Sequence, residues 1–393
     1  MQCAQDPSGR NSKPVPQLTS AEKTLVESDN SFGTKLFERI VEERRGENVL
    51  ISPFSISMAL AMTYNGADGS TQEAMRTTLE LGNLSLQEVN ESYRNLVEVM
   101  MGLDPKVELE IANSIWYDRQ LEVEEEFIEL SKTYLRGQVV GLDFSDQNAL
   151  NTINEWVDGS TRGKIKRIVD DVIDPDVAMF LINAFYFKGV WTHQFDEKKT
   201  KDDWFVTADG FKKRCDMMEQ RAEYAYLSND DFQAVDLPYA NGFLSMTVFL
   251  PRPGKQIDSI ITVLGEEKWE TWVNSFSKDS GDVYLPKFRV EDEGTLNEVL
   301  KALGMEIAFT LAADFGKICA GGELWIDEVK HKSFVQVNEE GTKTAAATSV
   351  VLAKGPAPSG FRFRVDRPFL FVIRERHSGA ILLMAKIVDL PLG

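Results

Sequence analysis

Apolar residues recur at helical spacing over 28–43, where Phe32, Leu36, Phe37, Ile40 and Val41 share one face. The same periodicity predicts a helix over 55–64. A third helix is predicted from Thr71, its cap, with Ala74, Met75 and Leu79 inward. A helix over 151–157 leads into a glycine-rich turn between Gly159 and Gly163. The pattern then changes period. Residues 109–117 read as a strand, and 179–190 are so uniformly apolar that they read as a strand buried on both faces. Residues 234–239 and 244–251 flank Asn241-Gly242, the signature of a hairpin. Further strands are predicted over 283–290, 332–337, 369–373 and 380–388, with a short helix over 296–303 closed by Gly304. Helices lead, strands follow and no βαβ unit repeats, so the fold class is α+β. The first twenty residues are polar and hold Pro7, Pro14 and Pro16. Residues 1–22 are therefore expected to be a disordered tail and 23–393 a single domain.

Between the strand at 332–337 and the apolar run at 368–373 lies NEEGTKTAAATSVVLAKGPAPSG, residues 338–360. So long a connection without structure of its own is uncommon in a compact domain and is usually functional. Taken as a latent strand, it alternates. Thr342, Thr344, Ala346, Thr348, Val350 and Leu352 fall on one face. Lys343, Ala345, Ala347, Ser349, Val351 and Ala353 fall on the other. The first face carries no charge and the second only Lys343. A plain linker would favour glycine, serine or charge and would have no use for Val350-Val351-Leu352.

Composition narrows the function by exclusion. Acidic residues outnumber basic ones by 62 to 43, a net charge of −19 that disfavours nucleic acid and anionic membranes as partners. No apolar run reaches spanning length, so no membrane span is expected. Cys3, Cys215 and Cys319 form neither a disulfide framework nor a metal set. Cys3 is read as incidental, with lipid attachment after loss of a leader as the alternative. The only histidines are His193, His331 and His377. His377, beside Ser378-Gly379, reads as a turn residue rather than part of a hydrolase triad. His331 reads as a hydrogen-bonded core histidine. No nucleophile, phosphate-binding or metal motif is present, so no enzyme, cofactor or metal is expected.

Several stretches together resemble one family, the serpins. They are Asn48-Val49-Leu50-Ile51-Ser52-Pro53-Phe54-Ser55-Ile56 with Leu60 and Gly66-Ala67, and Asn183-Ala184-Phe185-Tyr186-Phe187-Lys188-Gly189-Val190-Trp191 with Phe195 and Thr200. Ile153-Asn154, Thr161-Arg162-Gly163-Lys164-Ile165, Leu285-Pro286-Lys287-Phe288, Glu339-Glu340-Gly341-Thr342 and Asp366-Arg367-Pro368-Phe369 follow in the family's order, from about residue 25 to the end. The resemblance implies the serpin fold: a large five-stranded main sheet, two smaller sheets, eight to nine helices and an exposed reactive loop at about 339–360. It implies that Ser52, Ser55, Asn183 and His331 form a polar cluster where the main sheet parts. Lys188 and Trp191 would lie near the top of that opening, and Glu339 would pair with Lys287 at the loop base. The hinge would comprise Glu339, Glu340, Gly341, Thr342, Lys343, Thr344, Ala345, Ala346 and Ala347. Lys343 stands where an acid is common, Thr344 where alanine is, Ala385 where glycine is usual and Leu390 where proline is.

The expected activity is suicide-substrate inhibition of a serine protease by a secreted or extracellular monomer, through a covalent complex. Fourteen residues, 341–354, extended at ~3.3 Å each, reach on the order of 45 Å, enough to carry an attached protease across the domain. The family's usual loop length points to Gly355–Pro356, but a proline after the cut lacks an N–H and resists cleavage. Lys354–Gly355 is therefore the expected scissile bond, suiting a trypsin-like pocket. Cleavage after Leu352 or Ala353 by an elastase-like enzyme is the alternative. The competing functions are a non-inhibitory carrier or chaperone and an inhibitor of cysteine proteases. The hinge opposes the first, because residues 341–349 contain no proline and no bulky or charged residue except Lys343.

Overall fold

The computed structural model describes residues 16–146, 148–170, 173, 177–321, 324–340 and 360–391. The first half is mainly helical: α1 (Ser20–Glu43), α2 (Pro53–Gly66), α3 (Gly69–Thr78), α4 (Leu86–Gly102), α5 (Glu125–Leu135) and α6 (Ala149–Ser160). Three strands are threaded among them, β1 (Val49–Ile51), β2 (Val107–Asp118) and β3 (Gln138–Leu142). The second half starts with β4 (Met179–Gly189), β5 (Lys201–Val206), β6 (Lys212–Ser228), β7 (Phe232–Tyr239) and β8 (Leu244–Pro251). Two short helices follow, α7 (Ile257–Ile261) and α8 (Glu266–Asn274). The chain continues through β9 (Ser277–Pro286), β10 (Phe288–Thr295), α9 (Asn297–Leu300) and β11 (Glu328–Val337). It closes with β12 (Phe361–Arg364), β13 (Phe369–Glu375) and β14 (Ile381–Ile387).

The five-stranded sheet runs β10-β11-β4-β2-β3. β4 lies at its centre, antiparallel to β2 and parallel to β11, with register from Phe180↔Glu328 to Phe187↔Val335. Its apolar run is explained by cover on both faces. The main core, including Phe185, Phe187 and the helix α2, packs on one side. A second cluster packs on the other, where Ile165, Ile168, Val169 and Ile173 cover Ile182, Tyr186 and Phe334. Each such side chain contributes roughly 1.5–3 kcal/mol by leaving water. Every residue of α2 is buried, so it is a core helix rather than an amphipathic one.

The two smaller sheets expected from the resemblance are joined. A single hydrogen-bonded path runs β1-β14-β13-β8-β7-β6-β9-β12, with β5 added on β6. The link is the long strand β6, which pairs β5 with its first residues, β9 along its length and β7 with its last four. β12 lies parallel to β9 with Phe361 opposite Gly281. Phe361 stacks on Tyr226 at 4.0 Å, and a Cβ on Gly281 would meet the Phe361 ring at 2.5 Å.

Three local expectations need correction. The tail predicted to end at residue 22 gives way to helix at Ser20, because Thr19 and Glu22 form a capping box. The cap of α3 is Asp68, not Thr71, whose buried hydroxyl instead accepts the Asp314 N–H. The strand predicted over 283–290 is two strands in different sheets. It breaks at Lys287, whose N–H donates to the Asp216 carbonyl, after Pro286, which has no N–H to extend a ladder. The hairpin at Asn241-Gly242 is as predicted, with Tyr239 opposite Leu244.

Candidate functional site

The seam between β4 and β11 carries most of the predicted polar residues. Asn183 and His331 face each other in register across it. The Ser52 backbone N–H donates to His331 Nε2 at 3.2 Å, so that nitrogen is an acceptor and the proton sits on Nδ1. Nδ1–H then donates to Asn183 Oδ1 at 2.6 Å, and the Ser333 hydroxyl lies 2.6 Å from Nε2. The Asn183 amide donates onward to the Ser55 carbonyl at 3.1 Å, to the Ser55 hydroxyl and to Asn113 Oδ1. Ser52 also caps α2 by accepting the Ser55 N–H. Side chains of α2, β2, β4 and β11 therefore meet in one network.

His331 is 2% exposed, and burial pushes its pKa down to about 3. It stays neutral, since protonating Nε2 would aim an N–H at the Ser52 N–H. Ser333, His331 and Asn183 have the residue types of a hydrolytic triad, but all three are sealed from any substrate. His377 lies in the turn between β13 and β14, with Nε2 2.8 Å from the Pro16 carbonyl.

A second cluster closes the top of the seam, where the chain leaves β11. Trp191 is buried, stacks on Tyr239 at 4.3 Å and donates its indole N–H to the Asn338 carbonyl at 2.9 Å. Glu339 is buried as well. Its carboxylate accepts from Thr200 at 2.7 Å and pairs with Lys287 at 3.1 Å, while its carbonyl accepts the Phe195 N–H at 3.0 Å. Burial alone would raise the Glu339 pKa; the Thr200 hydroxyl, a backbone N–H and Lys287 outweigh it and hold the carboxyl below its usual range. Glu340 is anchored through its carbonyl by Gln194. Lys188 stands apart, paired with Glu108 of β2 at 3.6 Å.

Ser52, Ser55, Asn183 and His331 are thus brought together, and Trp191, Glu339 and Lys287 meet at the other end of the seam. Seven residues of extended chain, roughly 23 Å, separate His331 from Asn338. The hinge residues Gly341, Thr342, Lys343, Thr344, Ala345, Ala346 and Ala347 lie outside the described residues. So do Leu352, Ala353, Lys354, Gly355 and Cys3. Sequence reasoning passed over Asn113, Ser333 and Asn338. Asn113 carried a usable signal, being an amide in the middle of a mostly apolar strand. No group of three or more histidine, cysteine or acidic residues among the described residues is placed to hold a metal ion. No helix among them is long and apolar enough to cross a membrane.

A family model described as Serpin (serine protease inhibitor) matches residues 27–390. A serpin-like protein of Thermococcus kodakarensis is 35% identical over 379 residues, covering 94% of this chain and 86% of its own. The structure of native protease nexin-1 with heparin superposes with a TM-score of 0.86 at 30% identity, over 94% of this chain and 100% of that one. Human thyroxine-binding globulin complexed with thyroxine superposes equally, TM-score 0.86 at 26% identity, over 95% and 100% of the two chains.

Proposed function

This chain belongs to the serpin family, and we propose that it inhibits a serine protease as a suicide substrate. Members of the family are generally inhibitors of proteases rather than catalysts. The observation that carries the proposal is the topology around the seam. β11 and β4 are parallel and directly hydrogen-bonded, the chain leaves β11 beside that junction, and the next strand among the described residues is β12, in the other sheet. A segment cut free of β12 and turning back at Glu340 would run antiparallel to both neighbours if it entered between them. The alternating sequence of 342–353 suits that position.

In this reading the protease attacks Lys354–Gly355 and forms an acyl-enzyme. The freed strand enters the sheet, and the attached enzyme is carried away before water releases it. The cluster of Ser52, Ser55, Asn183 and His331 acts as a set of hydrogen bonds that can part and be remade. Trp191, Glu339 and Lys287 hold the point where the hinge turns. Lys188 contributes through Glu108 rather than through the Trp191 cluster. The protein works as a secreted monomer of one domain.

Incubation with trypsin-like, elastase-like and cysteine proteases, followed by a denaturing gel, tests the proposal. A complex that survives denaturation with a trypsin-like enzyme is expected, releasing a peptide that begins at Gly355. Cleavage without a complex would refute inhibition and favour the carrier reading, which the likeness to thyroxine-binding globulin supports. Thr342→Arg should turn inhibitor into substrate, because a charge would have to be buried unpaired.

A further inference from the structure

α1, α2 and α4 meet around a carboxyl group that the inhibitory cycle does not use. Asp29 of α1 is 3% exposed. Tyr93 of α4, itself buried and edge-on to Phe54 of α2, donates its hydroxyl to Asp29 Oδ1 at 2.7 Å. The other oxygen, Oδ2, and the buried hydroxyl of Ser57 on α2 form no well-aligned hydrogen bond, although the hydroxyl lies close enough to act on the carboxyl. A buried carboxylate with an unpaired oxygen beside an unpaired hydroxyl is costly. The Ser57 hydroxyl could turn its own hydrogen to an ionised Oδ2, so what favours a proton is removal of a buried charge that no cation offsets.

No cation offsets the charge. Among the described residues Asp29 forms no ion pair. Tyr93 is the one titratable group of α4 that acts on it. α2 carries no charged residue, and its Tyr64 lies under Arg76. Lys386 of β14, a strand that packs on α1, is bound to the Arg45 carbonyl and to Asp258. No charged group of β1, α8 or α9 acts on Asp29.

We propose that Asp29 is a proton-operated clasp: protonated, it ties α1 to α2 and α4, and ionised, it loosens that junction. Burial pushes its pKa up to about 8, partly opposed by the hydroxyls of Tyr93 and Ser57. The folded chain therefore holds a proton that the unfolded chain has released. The stabilisation is complete below the ordinary value of 3.8 and is lost as pH rises through about 8. Ser57 lies one residue beyond Ile56 from Ser55, so the clasp bears on the helix end that anchors the seam. The inference stands whether or not the loop inhibits a protease.

Denaturant unfolding of the wild type and Asp29→Asn at pH 5, 7 and 9 tests it. The amide keeps a donor for Ser57 without a titrating proton. Between pH 5 and 7 the wild-type unfolding constant should rise by up to about a hundredfold relative to the variant, levelling off above pH 8. Parallel profiles would overturn the clasp. Infrared difference spectra of the wild type alone give an independent reading. The carbonyl band of a protonated carboxylic acid should be present at pH 6.5 and gone at pH 10. Its absence from the folded protein at pH 6.5 would equally overturn the proposal.

Discussion

Asn183→Ala removes the residue on which the seam network converges. Its side chain is buried, so no water replaces it. The substitution strands the His331 Nδ1–H and Asn113 Oδ1, and deprives Ser55 of a donor. Asn113 is left worse off, because its own amide nitrogen already lacks a partner. Each buried group left unpaired costs about 1–3 kcal/mol, so the two amount to roughly 2–6 kcal/mol. Unfolding entropy near 2.1 cal/mol/K per residue, over 393 residues, is about 0.8 kcal/mol/K. The melting temperature should therefore fall by roughly 2–7 °C. Scanning calorimetry at one scan rate, at pH 7.5, measures it, with Lys188→Ala as the control. That half-buried but long 3.6 Å pair should be worth less than about 1 kcal/mol. A shift below about 1 °C for Asn183→Ala, or one matched by the control, would refute the claim that these bonds hold the seam.

Three further outcomes follow from the same geometry. His331 is held neutral with its pKa near 3, so it opposes folding increasingly as pH falls from 6.5 toward 3; His331→Gln should flatten that part of the stability profile, measured by urea titration. Gly281→Val should push the Phe361 ring off Tyr226 and cost about 1–3 kcal/mol by overpacking, read from the denaturation midpoint and from loss of the stacked-ring signal in near-ultraviolet circular dichroism. Glu339→Ala should destabilise more than Lys287→Met, since the buried carboxylate also serves Thr200 whereas the lysine is one partly exposed end of a pair; equal losses in thermal melts would contradict the network.

Periodicity alone identified the helix carrying Phe32, Leu36 and Ile40, the doubly buried strand β4 and the hairpin at Asn241-Gly242. Each depends on contacts within a few residues or on a simple inside–outside pattern. The start of α1 was also legible, since Thr19 and Glu22 spell a capping box; polar composition around it outweighed the signal. Ser52, Ser55, Asn183 and His331 were recognisable as a set only through resemblance. Alternation tells which face a residue occupies, but not which strand lies beside it. That β11 runs parallel against β4, about 150 residues earlier in the chain, was decided by long-range packing. The same packing broke the chain at Lys287 to feed two sheets, brought Asn113 and Ser333 into the seam, and seated the Trp191 indole on the Asn338 carbonyl. It also enclosed Asp29 among three helices, turning a residue that would be an ordinary surface carboxylate on an isolated helix into a buried one whose charge no cation offsets. Buried hydrogen-bond partners come from elements far apart in sequence, and only the closed core excludes the water that would otherwise make those bonds optional.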